Sequence, residues 1–380
     1  MTESPLQNGM PASPPISAPP AVCFNPDAAY EKCNRKFEGI PGIEVTRSGR
    51  IWATWYSGGS GEGPENYVLL VTSNDGGISW SPPRAIVDPD GDVRAFDPGL
   101  WIDPLGRLWW YWSLSKAHPE NSCYDGRAGV WAVLCTAPDQ DAPTWSEPRR
   151  LANGIMMNKP TVTSDGAWLF PVAVWGTGKP LLEELRAEQF SNVLESRDAG
   201  ETFILKGGAD LPTRTFDEHM VIELRDKRLW MLVRTSSGIG QSFSNDGGST
   251  WTPGAPSKLK GPNSRFFIRR LQSGNLIFIG HDSDGQHTEG ENKAWPGRSR
   301  LKAWLSRDDG LTWEGGLMLD ERKNVSYPDG AQDAQGKIHV IHDRERHLVR
   351  EILLSSFREE DVLAGNCVSP ESFTKRPIIT

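Results

Sequence analysis

The sequence predicts an all-β chain, a six-bladed β-propeller with four-stranded antiparallel blades. Three observations carry that expectation. A turn phrase recurs as SNDGGISW at 73–80, SRDAGETF at 196–203, SNDGGSTW at 244–251 and SRDDGLTW at 306–313, with a worn copy, APDQDAPTW, at 137–145. A second signal, a tight turn followed by a run of aromatic and β-branched residues, recurs six times. Its copies are RSGRIWATWY from 47, PLGRLWWYW from 104, SDGAWLFPVA from 164, RDKRLWMLVR from 225, QSGNLIFIGH from 272 and AQGKIHVIHD from 334. Helical periodicity is nearly absent, KPLLEELRAEQF at 179–190 being the one short candidate.

The repeat unit is about 55 residues, which leaves room for four short strands, and six such units make a ring of six blades. The sixth unit lacks the turn phrase, and the segment before residue 40 is the candidate to lend a strand that closes the ring. Residues 1–22 are rich in Pro and Ser without the apolar stretch of a signal peptide, and read as a disordered tail. Residues 23–365 are expected to form the propeller and 366–380 a C-terminal tail.

The 380 residues carry a formal net charge of −8, which argues against a nucleic-acid groove or an anionic membrane surface as partner. No apolar run approaches the ~20 residues of a membrane span. The expectation is a monomer, cytoplasmic, or secreted or periplasmic if a signal segment has been removed. Five cysteines, at 23, 33, 123, 135 and 367, have no metal spacing and read as mostly free thiols, with a Cys23–Cys33 or Cys123–Cys135 bridge left open. Sixteen tryptophans must be buried in packing layers or held out for a ligand such as a sugar.

The repeated aspartates, Asp75, Asp198, Asp246 and Asp308, read as structural. A short carboxylate caps backbone N–H groups of a turn, glycine takes the positive-φ position and the indole packs beneath. A motif copied around a ring is not a single catalytic site. Chemistry belongs instead at the starts of the innermost strands, which a propeller gathers around one axis. Those starts carry Glu38, Asp97, Lys159, Glu218 with His219, Arg265, and Tyr327 with Asp329, a set that suits a lined polar cavity. No His/Cys/Asp cluster or phosphate loop points to a metal or cofactor, and none is expected.

The turn phrase is similar to the Asp-box of the sialidase (neuraminidase) superfamily of six-bladed propellers, and the resemblance runs over roughly residues 35–360. The stretch EHMVIELRDKRLWMLVRTSSGIGQSFSNDGGSTW at 218–251 resembles the segment that supplies a catalytic glutamate and an arginine, which implies Glu218 and Arg234. GRSRLKAWLSRDDGLTW at 297–313 implies a further arginine, Arg298, and VSYPDGAQDAQGKIHVIHDRER implies a tyrosine nucleophile, Tyr327. At the front the chain departs from the family. Sialidases carry F-R-I-P, whose arginine completes a trio on the sugar carboxylate; this chain reads F-E-G-I-P at 37–41. Glu38 there would repel a carboxylated sugar, with Arg35 the nearest substitute arginine. The family's acid/base aspartate is also missing from GGSGEGPENYVLLVTS, where Glu62 is the best stand-in and Glu65 the next.

The resemblance implies an exo-acting glycosidase that releases a terminal sugar, sialic acid or another. Tyr327 attacks, Glu218 takes its proton, and Arg234 and Arg298 hold the substrate and lower the phenol pKa. For a neutral sugar, Glu62, Asp97 or Glu218 acts directly as acid or base. His219 is weighed equally between substrate contact and structure, whereas His342, Asp343 and Arg344 read as part of a blade. The alternatives are a polysaccharide lyase, with Tyr327 and His219 abstracting a proton beside a carboxylate, and a carbohydrate-binding propeller without turnover.

Overall fold

The computed structural model describes residues 18–116, 124, 126–175, 182–283 and 285–380. Among them, six antiparallel sheets stand around an axis as the blades of a propeller, five of four strands and one of five. From the axis outward the four strands of each blade follow chain order, and the fifth strand of blade 1, Cys23–Phe24, sits outside them. The innermost strands are Phe37–Val45, Val93–Ile102, Thr161–Val162, Arg214–Glu223, Phe267–Arg270 and Val325–Gln332, the six segments expected from the sequence. The expected helix at 179–190 is a 3-10 turn over Glu183–Glu188, and residues 179–181 lie outside the described residues.

The ring closes differently from expectation. Phe373–Pro377, in the segment expected to be a tail, pairs with Glu351–Phe357 as the fourth strand of blade 6. Cys23–Phe24 pairs with Ala85–Val87 on the outer rim of blade 1, away from the axis. Each blade is therefore built from contiguous chain. The ring is held by packing, the inner strand of blade 1 lying against those of blades 2 and 6. Residues 1–17 and Cys123 lie outside the described residues. Cys23, Cys33, Cys135 and Cys367 are free thiols.

Tryptophans fill the spaces between blades. Trp101 packs edge-on against Trp168 at 5.0 Å between ring centres, and Trp52 against Trp145 at 5.8 Å. Trp52, Trp55, Trp101, Trp109, Trp110 and Trp112 are fully buried, so these rings do not wait for a ligand.

The repeated aspartates staple the outer turns. Asp246 Oδ1 accepts from Thr250 N at 2.9 Å and Ser244 Oγ at 2.8 Å, while Oδ2 accepts from Thr250 Oγ1 at 2.6 Å. Ser244 Oγ in turn accepts from Gly248 N at 2.9 Å, with Gly248 at φ 94°. The bond from the Thr250 hydroxyl, then that from its amide, holds the Asp246 carboxyl down at about 2. Asp246→Ala is expected to lower stability by roughly 1 kcal/mol, the scale of a lost cap, with turnover per folded molecule intact. Parallel thermal melts and active-site-normalised rates check both halves.

Candidate active site

A β-strand alternates its side chains between two faces, and four inner strands break that alternation at the same place. Their ladders slip between Gly39 and Gly42, Phe96 and Gly99, Asp217 and Met220, and Ser326 and Asp329. The residues in the slips carry positive φ: Ile40 57°, Asp97 49°, Glu218 43° and Tyr327 54°. Non-glycine residues rarely adopt that region, and the strain is of order 1–3 kcal/mol each. Proline follows in three of the four, as Pro41, Pro98 and Pro328. It is tolerated because an inner strand is a sheet edge and a bulge frees a backbone donor.

Three of these bulges aim chemistry at one point. The Tyr327 hydroxyl donates to Glu218 Oε1 at 2.8 Å. Arg234 Nη1 donates to the same carboxylate oxygen at 2.6 Å and to the phenol oxygen at 2.9 Å. Asn263 Oδ1 accepts from Arg234 Nε at 2.6 Å, and the guanidinium carbon lies 4.6 Å from the Phe216 ring and 5.1 Å from the Trp295 ring. Arg298 stands 4.5 Å from the Trp295 ring and 5.5 Å from the Tyr327 ring, donating to the Asn263 carbonyl at 3.1 Å. Arg346, from the turn after Ile338–Arg344, places its guanidinium 4.3 Å from the Tyr327 ring. Glu62 stands beside it at the mouth, 3.4 Å from Arg346 and 44% exposed. A cavity of about 110 Å³ opens between Glu62, Trp295, Arg298, Asn324 and Arg346.

The electrostatics follow from burial. Burial and then the Glu218 carboxylate push Tyr327 up to about 12, against the lowering effect of the three arginines. The phenol is therefore protonated at neutral pH, and the expected net lowering by arginine is not what the site produces. Burial and then the nearby Arg234 charge bring Arg298 down to about 10. Burial and then Glu62 push the Asp97 carboxyl up to about 8, with Glu218 adding to the rise. Glu218 Oε2, Arg234 Nη2 and Arg298 Nε are buried without a hydrogen-bond partner among the described residues. Buried polar atoms are nearly always paired. A carboxylate oxygen and two guanidinium nitrogens left open together suit a ligand that bears both an anion and hydroxyl groups.

The structure thus brings together Tyr327, Glu218, Arg234, Arg298, Asp97 and Glu62. Five other expected site residues are engaged elsewhere. Glu38 is buried and accepts from Lys32 Nζ at 2.5 Å, Arg35 Nη1 at 3.0 Å and Trp55 Nε1 at 3.0 Å. The residue in the bulge is Ile40, two places on, so Glu38 turns into the blade and Arg35 goes with it. His219 follows Glu218 on the strand and points the other way, its Nε2 bonded to Asn192 O at 2.7 Å. Burial holds its pKa down to about 4, so the ring is neutral.

Lys159, Arg265 and Asp329 fill the axis beyond the Tyr327–Glu218–Arg234 cluster. Lys159 Nζ pairs with Asp329 at 3.0 Å and Glu44 at 3.1 Å and donates to Leu100 O at 2.7 Å. Arg265 pairs with Asp329 at 3.4 Å and donates to Asn158 Oδ1 at 2.7 Å and Met157 O at 3.0 Å. Inner strands are edges whose carbonyls need donors, and these two cations provide them. Arg346, Phe216 and Trp295 were missed by sequence reasoning. The signal for Arg346 was an arginine just past a second strand, in DRER.

Asp97 gives a pH test. The folded carboxyl keeps its proton to about 8, whereas an unfolded aspartate releases it near ~3.9. The folded state holds the extra proton between those values, so this group's contribution falls as pH rises through that window. Relative to Asp97→Asn, the wild type is expected to lose stability progressively from about pH 4 to pH 8. Denaturant titrations across that range check it.

The BNR repeat-like domain model matches residues 49–340. No curated protein sequence matches the chain. Among solved structures, the Hadza microbial sialidase Hz136 superposes with TM-score 0.67 at 17% identity, over 86% of this chain, which spans 66% of that protein. A protein of unknown function from Dyadobacter fermentans gives 0.64 at 16% identity, over 86% of this chain and 95% of that one. The intramolecular trans-sialidase from Ruminococcus gnavus, in complex with oseltamivir carboxylate, gives 0.63 at 14%, over 92% and 99%. The propeller is thus a fold shared with sialidases, and the chain belongs to the BNR repeat-like domain family.

Proposed function

We propose that the protein is an exo-acting glycoside hydrolase of the sialidase type, releasing one terminal carboxylated sugar with retention through Tyr327. The observation that carries this reading is the Tyr327–Glu218–Arg234 cluster, a buried phenol hydrogen-bonded to a carboxylate and a guanidinium at 2.8 and 2.9 Å. A phenol is a weak nucleophile at its own pKa and needs a base in contact. Glu218 Oε1 accepts the proton as the phenol oxygen bonds to the anomeric carbon, and Arg234, bonded to both oxygens, stabilises charge on either. Glu62 at the mouth lies where a leaving group must depart and protonates the glycosidic oxygen. It then activates the water that cleaves the glycosyl–tyrosine bond. Asp97, still protonated at neutral pH, offers a hydrogen bond to a sugar hydroxyl.

The sequence-level objection to a carboxylated substrate falls away, because Glu38 is turned into blade 1 and paired there. The solved neighbours, a sialidase and a trans-sialidase bound to a carboxylate inhibitor, point to the same substrate class. The lyase alternative loses its second proton-transfer group, since His219 is bonded to the Asn192 carbonyl.

Kinetics on an aryl α-sialoside, an aryl uronide and neutral aryl glycosides test the reading. Carboxylated substrates are expected to be cleaved and neutral ones not. Tyr327→Phe is expected to lower kcat by on the order of 10³-fold or more, and Glu218→Gln by ~10²–10⁴-fold. Cleavage of neutral glycosides alone, or a Tyr327→Phe variant as active as the wild type, would remove the mechanism.

A further inference from the structure

Three guanidiniums surround the Tyr327 phenol, yet only two have a carboxylate partner. Arg234 pairs with Glu218 at 2.6 Å and Arg346 with Asp343 at 2.9 Å. Arg298 is buried and has no carboxylate partner among the described residues. A buried cation without a counter-charge is costly, and an anionic group entering between Arg298 and its neighbours would neutralise it. The unusual member of the cluster is Arg346. It projects from a turn of blade 6 across to blade 1, where a Cβ built on Gly39 would lie 2.6 Å from its Cδ and 2.9 Å from its Cγ. Any side chain at position 39 would therefore displace it.

Its attachment is deliberate. Arg346 Nε donates to Asp343 Oδ2 at 2.9 Å and Nη2 to Ser326 Oγ at 3.0 Å, while Asp343 Oδ1 accepts from Ser326 Oγ at 2.6 Å and Oδ2 from Ile40 N at 2.8 Å. Asp343 thus locks the arginine to the bulge beside Tyr327 and to the strand that carries Gly39. The remaining arm, Nη1, reaches Glu62 Oε1 at 3.4 Å. Burial disfavours the charge, but Asp343 above all, with Tyr327 and Glu62, holds its pKa above the ordinary arginine range.

We infer that Arg346 is a specificity-determining residue for the anionic group of the substrate, delivered from blade 6 through a notch that Gly39 of blade 1 keeps open. The inference rests on the carboxylated-sugar reading and assigns one pair of residues to it. The same guanidinium stands beside Glu62, so binding of the anion and placement of the proton donor are coupled through one side chain.

The test uses the 2,3-didehydro derivative of sialic acid and its methyl ester, whose binding is measured by calorimetry on the full chain. Wild type is expected to prefer the acid. Arg346→Ala is expected to weaken the acid by roughly ten- to a hundredfold, the scale of one charge-assisted contact, and to leave the ester nearly unchanged. Arg346→Gln serves if the alanine variant melts early. Gly39→Ala keeps the arginine but moves it, and is expected to lose part of the preference. The exchange Gly39→Arg with Arg346→Gly returns a guanidinium to the same notch from the other blade, and is expected to restore part of it. A wild type that prefers the acid, with Arg346→Ala and Arg346→Gln keeping the same acid-to-ester ratio, overturns the inference alone. A wild type that shows no preference for the acid overturns the carboxylated-sugar reading beneath it.

Discussion

The site depends on a backbone defect repeated around the ring. An inner strand that kept its alternation would point every second residue at the axis, and Asp97, Glu218 and Tyr327 would not converge as they do. The bulges of blades 2, 4 and 6 place each of these residues at positive φ beside the axis. Such conformations persist only where surrounding structure over-determines them. Here the tryptophan layers between blades and the stapled outer turns supply that rigidity, and the strain is local to the bulges.

Convergence makes an electrostatic problem that the axis solves in two layers. Beyond the Tyr327–Glu218–Arg234 cluster, Lys159 and Arg265 bind Asp329 and backbone carbonyls near the axis, so those buried charges are matched within the protein. Around Tyr327 the matching is incomplete. Arg234 pairs with Glu218, and Arg346 with Asp343 and Glu62, while Arg298 has no carboxylate partner among the described residues. The same crowding keeps the phenol protonated at neutral pH, and keeps the Asp97 carboxyl neutral close to Glu62 and Glu218. Under the proposed function, that open guanidinium is what favours an anionic sugar over a neutral one.

Much of this was legible in the residues. Paired turn signals at a period of about 55 residues gave six blades, and the turn phrase announced its own staple, because Ser, Asp, Gly and Thr at those offsets make the bonds seen at Asp246. Glu218, Tyr327, Arg234 and Arg298 were legible through the family resemblance. What failed was register. Reading F-E-G-I-P against F-D-P-G and S-Y-P-D-G by the polar residue selects Glu38, which lies on the regular ladder opposite Ser57, whereas aligning the prolines selects Ile40, the residue in the bulge. His219, weighed equally between substrate contact and structure, is bonded to a backbone carbonyl one place beyond a bulged residue. Lys159 and Arg265 showed only that charge lies near the axis, not whether a ligand or the protein answers it. Arg346 was hidden because it reaches the site from the turn after the second strand of blade 6 rather than from an inner strand, a contact that no local spacing encodes.

The central claim is that the Tyr327 oxygen bonds to the sugar. Reacting the protein with a 2,3-difluoro derivative of sialic acid, whose fluorines slow hydrolysis of a glycosyl–enzyme, and mapping the adduct by mass spectrometry of peptides tests it directly. The account predicts one equivalent of label on Tyr327, lost in Tyr327→Phe. Label on Glu218, Asp97 or Glu62, or an unlabelled protein that nonetheless cleaves sialosides, would contradict it.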